Sequence, residues 1–172
     1  MKNNLSVYLL ILLGMATRFV PHPGNFTAIG AIALFSGLYL EKKQAFWLPI
    51  IAMFISDIFI GFYNPYIMAT VYLGFTVTVL IGQTLKNKLT TIPVIGGILS
   101  ASIIFFLLTN TAVWLFGTMY THNLSGLLES YYMAIPFWRN EILADLFYSG
   151  VLIGGYEMIR KLTSTAATEI SK

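Results

Sequence analysis

Apolar residues gather into six runs along the chain, at 5–20, 25–40, 45–63, 66–85, 92–117 and 138–159. The breaks between them are rich in Pro, Gly, Asn and Lys, the residues that end regular structure and build loops. Runs of this length and apolarity predict membrane-spanning helices, which need roughly 20 residues to cross the hydrocarbon layer. The first two are shorter, about 16 residues each, so their helices are expected to tilt little or to sit toward one side. One connection is long, 118–137. Within it Leu124, Leu127, Leu128, Tyr131, Tyr132 and Ile135 recur at helical spacing, with Asn123 as a cap and Pro136 as a stop. That pattern predicts a short amphipathic helix over 124–134, lying on the membrane surface and hinged at Gly117 and Pro136. The expected fold is an all-α membrane protein, a compact bundle of about six transmembrane helices in a single integral membrane domain, 1–172, with no internal repeat.

Composition strengthens this picture. Of the 172 residues 57% are hydrophobic and only 10% charged, against about 25% charged in soluble domains. Too little charge is present to cover a soluble surface, so lipid is the expected solvent. Six spans leave only short loops, and no G-x-x-x-x-G-K-[ST] stretch occurs, so the chain is not expected to hydrolyse ATP by itself. Cysteine is absent, which removes thiolate metal sites, disulfides and cysteine nucleophiles together. The first run resembles a secretory signal in outline, but Arg18 follows closely and a convincing A-x-A site is missing, so a retained first helix is expected.

Charge gives the orientation. With the N-terminus inside, Lys2, Lys42, Lys43, Lys86, Lys88, Arg160, Lys161 and Lys172 fall on the cytoplasmic side and only Arg18 and Arg139 outside. This asymmetry predicts both termini in the cytoplasm, as an even number of spans requires. Basic residues spread over loops in this way are topology signals and do not suggest nucleic acid.

Polar residues within the spans are the candidate chemistry, because hydrocarbon forces them toward the protein interior or a wet cavity. Asp57 lies six residues, about 9 Å of helix rise, from the end of its run at Tyr63. Asn110, within Thr109-Asn110-Thr111, and Asp145 sit at comparable depth. Arg18 and Asn25 flank the turn between the first two spans, and Arg139, Asn140 and Glu141 open the last. One explanation is helix-to-helix bonding, through pairs such as Arg18–Asp57 or Arg139–Asp145. Helix contacts need not share a depth, however, whereas a ligand cavity open to the outer side requires it. Most of the outer aromatics fit an interfacial belt. Trp114, one turn beyond Asn110 on the same face, is the aromatic chosen to pack on a ligand. The linker Val20-Pro21-His22-Pro23-Gly24-Asn25 is stiffened by its prolines and freed at its glycine, so His22 and Asn25 are expected to close over the site. His22 and His122 have no ligand-spaced partners, and no metal or cofactor is assigned. Small residues, among them Gly30, Ala33, Gly37, Gly96, Gly97, Ser100, Gly150, Gly154 and Gly155, mark candidate close helix contacts, either within the fold or with another membrane protein.

Four stretches carry a family likeness: Arg18-Phe-Val-Pro-His-Pro-Gly-Asn-Phe, Ser56-Asp57…Gly61, Thr109-Asn110-Thr111, and Phe137-Trp-Arg-Asn-Glu-Ile-Leu-Ala-Asp145-Leu-Phe-Tyr-Ser. They resemble a group of small bacterial membrane transport proteins. That group is similar in turn to the substrate-capturing S components of energy-coupling-factor (ECF) transporters. The resemblance implies a compact six-helix fold, an outward-facing pocket of vitamin size, lids from the first and last outer loops, and partnership with an integral T subunit and ATPases. Such S components often carry an A-x-x-x-A pair in the first helix, where this chain has Gly14 and Arg18. A carrier working alone is therefore the alternative. The expected function is capture of a small organic solute, vitamin- or precursor-like, at the outer face of the bacterial cytoplasmic membrane. Asp57, Asn110, Arg139 and Asp145 would orient it, with Trp114 against its apolar body. Two other classes compete: a non-transporting membrane scaffold, and an intramembrane aspartyl hydrolase using Asp57 and Asp145, for which a G-x-G-D context is missing.

Overall fold

A computed structural model describes residues 5–87 and 89–170, with side chains to residue 163. Six helices follow in order: α1 (Leu5–Ala16), α2 (Ile29–Tyr39), α3 (Lys42–Ile60), α4 (Pro65–Leu85), α5 (Thr91–Phe116) and α6 (Leu124–Ile170). A 3₁₀ turn, Thr17–Phe19, extends α1. The described residues include no strand. The expected termini and loops at Lys2, Lys88 and Lys172 lie outside the described residues.

Four helices, α3 to α6, are long and apolar enough to cross a membrane. The other two are short, and α2 has a special place. Its 11 residues rise only about 16 Å, half of a bilayer's hydrocarbon thickness. Yet it packs on α1, α3, α4, α5 and α6, and nearly all its side chains are buried, Ile32, Phe35 and Ser36 completely. It is a short rod enclosed by the other helices. The sequence marks it by what it lacks, since IGAIALFSGLY contains no charged residue and five small ones that let neighbours approach.

A helix ending inside a membrane protein leaves four N–H groups and four carbonyls to satisfy at its two ends. Other elements supply the partners. At the first end, Thr17 Oγ1 accepts the Ala28 N–H at 3.1 Å, and the Asp145 carboxylate from α6 faces the Ala31 N–H. At the far end, Lys86 Nζ donates to the Leu40 carbonyl at 2.8 Å. An anion at the N-terminus and a cation at the C-terminus also suit the helix dipole.

The α2–α4 seam rests on glycine. A Cβ on Gly82 would strike the Leu34 carbonyl, and one on Gly37 the Val79 carbonyl and Gly82 Cα. Replacing Gly82 by leucine should therefore force the two backbones apart, costing about 1–3 kcal/mol or more. Its folded yield and melting temperature in detergent should both fall. A variant as stable as the parent would show that the seam can open freely. Gly14, Gly30 and Gly97 are close contacts too, whereas Gly96, Gly150 and Gly154 meet nothing within 4 Å. Of the two expectations for these three, contact within the fold is not met among the described residues, and contact with another membrane protein is the one left.

The connection before the last span also departs from expectation. A helix does begin at Leu124, with Asn123 Oδ1 accepting the Gly126 N–H at 2.8 Å. It does not stop at Pro136 but runs on as the 47-residue α6. Proline removes one N–H and crowds one carbonyl, which neighbouring helices can compensate in membrane proteins. The early turns of α6 are anchored to α5, where Tyr131 Oη and Thr111 Oγ1 lie 2.7 Å apart and Ser130 Oγ reaches the Asn110 carbonyl at 3.4 Å. They form the start of a long helix rather than a separate one. At about 70 Å, α6 is far longer than a bilayer is thick.

Candidate functional site

The helices enclose a cavity of about 480 Å³ near the end of the bundle that carries loops 20–28 and 61–64. Its volume falls in the range of small-molecule sites. Thr27, Ile29 and Gly30, at the start of α2, form part of its lining. Further lining comes from Met53 and Ile60 of α3, Val71, Phe75 and Thr78 of α4, Ser102 to Val113 of α5, and Ala134 to Asp145 of α6. Enclosing α2 creates this space: a short central helix stops where full-length neighbours continue.

Aromatic rings dominate the wall. Phe106 stacks on Trp138 with centroids 4.7 Å apart, and Phe75 meets Phe105 at 4.8 Å. The polar groups between them form three sets. In the first, Arg18 reaches Asp57 Oδ1 at 2.8 Å, with further contacts to Ser56 Oγ and the Met53 carbonyl at 3.4 Å. Tyr72 Oη donates to the other carboxylate oxygen at 2.8 Å. Asp57 is thus satisfied on both oxygens and only 1% exposed. It sits behind the wall, while Arg18 lines the cavity.

The second set lies on α6. Trp138, Glu141 and Asp145 follow at helical spacing, so they share a face, and all three line the cavity. Trp138 Nε1 donates to Ser102 Oγ at 2.9 Å, and Ser102 in turn contacts Glu141 Oε1 at 3.5 Å. Asp145 is 7% exposed and lies so close to α2 that a Cβ on Gly30 would collide with its carboxylate. Glycine is required there for the carboxylate to reach the helix end. The third set is Asn110 with Thr109 on α5. Asn110 Nδ2 donates back to the Phe106 carbonyl of its own helix at 2.8 Å.

At the rim, His22 and Asn25 belong to the loop before α2. Asn25 has a positive φ of 63°, a conformation that asparagine tolerates better than most residues. This turn places the Gly24 carbonyl 3.0 Å from Asn140 Nδ2 and packs Gly24 against the Phe137 ring. The loop is thereby fastened to α6.

Of the residues singled out from the sequence, Asn25, His22, Asn110 and Asp145 come together around this cavity, and Asp57 stands behind it. Trp114 and Arg139 do not join them. Trp114 Nε1 donates to the Thr121 carbonyl at 2.9 Å, so its ring secures the 117–123 connection while Val113 takes the place on the wall. Arg139 follows Trp138 by about 100° around α6 and is exposed. Among the described residues it makes no ion pair with Asp145; the pairs are Arg18–Asp57 and Arg160–Glu157. Among the wall residues missing from the sequence-derived set are Glu141, Arg18 and Trp138, with Ser102 and the rings of Phe75, Phe105 and Phe106. The i, i+4 spacing of Glu141 and Asp145 within an apolar run was the available signal for the first.

No curated protein and no solved structure matches the chain. The match of residues 1–167 to the family of unknown function DUF6580 shows that the chain belongs to that family.

Proposed function

We propose that this protein captures a small organic solute, vitamin- or precursor-like, from the outer side of the bacterial cytoplasmic membrane for uptake, in the manner of an ECF S component. The observation that carries the reading is the cavity of about 480 Å³, with aromatic walls and a few convergent polar side chains, in a chain with four membrane-length helices. A soluble-phase ligand needs a mouth near one membrane face, and the cavity lies toward the end carrying loops 20–28 and 61–64. The distribution of Lys and Arg supports placing that end outside. The 20–28 loop, held by Asn140 and Phe137, is suited to act as a lid.

The aspartyl hydrolase reading finds less support. Asp57 is committed to Arg18 and Tyr72 rather than to a second carboxylate, as a proton-sharing pair would need. Partnership with a T subunit and ATPases stays within the proposal. Gly14 is occupied by Ile32 of α2 and by Ala28, which caps it, and Arg18 by Asp57, so neither is offered to a partner. A docking face on α1 would have to use exposed Leu5, Leu9, Leu12 and Leu13.

Two experiments test the reading. Single cysteines at Asn64 and Ser125 should react with impermeant thiol reagents on intact cells, and those at Gln44 and Asn87 should not. Labelling of Asn87 from outside would invert the orientation. Mass spectrometry of small molecules extracted from the purified protein should find one compound enriched over a control membrane protein; enrichment of lipids alone would contradict solute capture.

A further inference from the structure

The charges around the cavity do not balance, and the imbalance has a sign. Arg18 contributes one positive charge, and Asp57 cancels it at 2.8 Å. No charged residue of α4 or α5 lines the cavity. From α6 come two carboxylates, Glu141 and Asp145, and no described basic residue forms an ion pair with either. The N-terminus of α2, equivalent to about half a positive charge, faces Asp145 and offsets part of its charge. Among the described residues, Glu141 meets the Ser102 hydroxyl, at the long distance of 3.5 Å. Were both ionised, about one negative charge would stand without a counterpart in a space walled by hydrocarbon and rings. A buried carboxyl in such a setting takes up a proton instead of staying charged, unless something of opposite sign accompanies it.

Two further observations point the same way. The wall includes the rings of Phe75, Phe105, Phe106 and Trp138, and the face of such a ring attracts a cation rather than an anion. One turn below Asp145, the Ser149 hydroxyl is 2% exposed and has no hydrogen-bond partner among the described residues. It borders a gap too narrow for a water molecule, which Gly30 and Asp145 also line, so this strip of α6 carries one polar group that those residues do not use.

The geometry points to a solute that is a singly charged organic cation, an amine or ammonium on an aromatic or heteroaromatic body, held with its positive centre at Glu141 beside Asp145. Its rings lie against Phe75, Phe105, Phe106 and Trp138, and Asn110 reads a polar group at the mouth. This inference rests on the reading that the cavity takes a solute, and it specifies the charge class.

A matched set of probes tests it: phenethylamine as the cation, 2-phenylethanol as the neutral analogue and phenylacetate as the anion. Each is titrated by equilibrium dialysis into the purified protein in nanodiscs. Phenethylamine should bind roughly tenfold or more tightly than 2-phenylethanol, the scale of a hydrogen bond to a charged group, and phenylacetate should bind worst. In Glu141→Gln, which keeps the shape and the Ser102 contact, amine and alcohol should bind alike. Equal or tighter binding of the alcohol or the anion to the parent protein overturns the inference, as does an amine preference that survives Glu141→Gln. In those cases solute capture itself still stands. If none of the three binds, the inference also falls, and the extracted compound alone then decides whether the cavity takes a solute. Should Glu141→Gln fail to fold, the order of the three probes on the parent protein decides.

Discussion

Replacing Arg18 by leucine should destabilise the protein by about 3–5 kcal/mol, the usual cost of leaving one member of a buried ion pair alone. Asp57 is the reason. With 1% exposure its carboxylate cannot turn to water, and Tyr72 satisfies only one of its oxygens. The loss should appear as a lower melting temperature in detergent and a smaller monodisperse fraction. The double replacement Arg18→Leu/Asp57→Leu should recover much of the loss, because two apolar residues of similar size need no counter-charge. If the single variant melts like the parent, the pair contributes nothing and Asp57 must be neutralised in some other way.

Asn110→Leu should have the opposite profile. The described side-chain hydrogen bond of Asn110 goes to the Phe106 carbonyl of its own helix, so removing it breaks no bond between helices, and leucine suits an apolar span. Melting should change little. Binding of the captured solute should weaken by roughly 1–3 kcal/mol, the cost of leaving its polar group without a partner. A helix-bonding role predicts the reverse: lower melting with unchanged binding per folded molecule. Measured on one preparation, the two quantities separate these roles.

How much of this was legible in the chain varies with the physics behind each feature. Hydrophobic run length located the helices well. The run at 66–85 became Pro65–Leu85 and that at 92–117 became Thr91–Phe116, because lipid-facing helices must be apolar over their whole length. The same signal said that α2 was short but not that it was central. Burial on every side is a property of neighbours, visible only through Gly37 against Gly82 and the caps from Asp145 and Lys86. Pro136 misled for a related reason. Its local effect is to break a helix, yet the contacts of α6 with α5 outweigh it. Among the polar residues, Arg18–Asp57 and Arg139–Asp145 were examples of helix-bonding pairs; the first forms, and among the described residues the second does not. Two positions separate Arg139 from Glu141, enough on a helix to turn one to the outside and leave the other on the cavity wall. Trp114 shows the limit of reading a face from i, i+4 spacing alone. Its indole N–H needs an acceptor, and the Thr121 carbonyl provides one away from the cavity.

Native mass spectrometry of the intact chain, released gently from detergent beside Asn110→Leu, tests solute capture most directly. The parent should carry one discrete adduct of small-molecule mass at stoichiometry near one, and Asn110→Leu, equally folded, should carry it at much lower occupancy. A parent without any such adduct, or the same adduct at equal occupancy on both proteins, would contradict capture of a solute in this cavity.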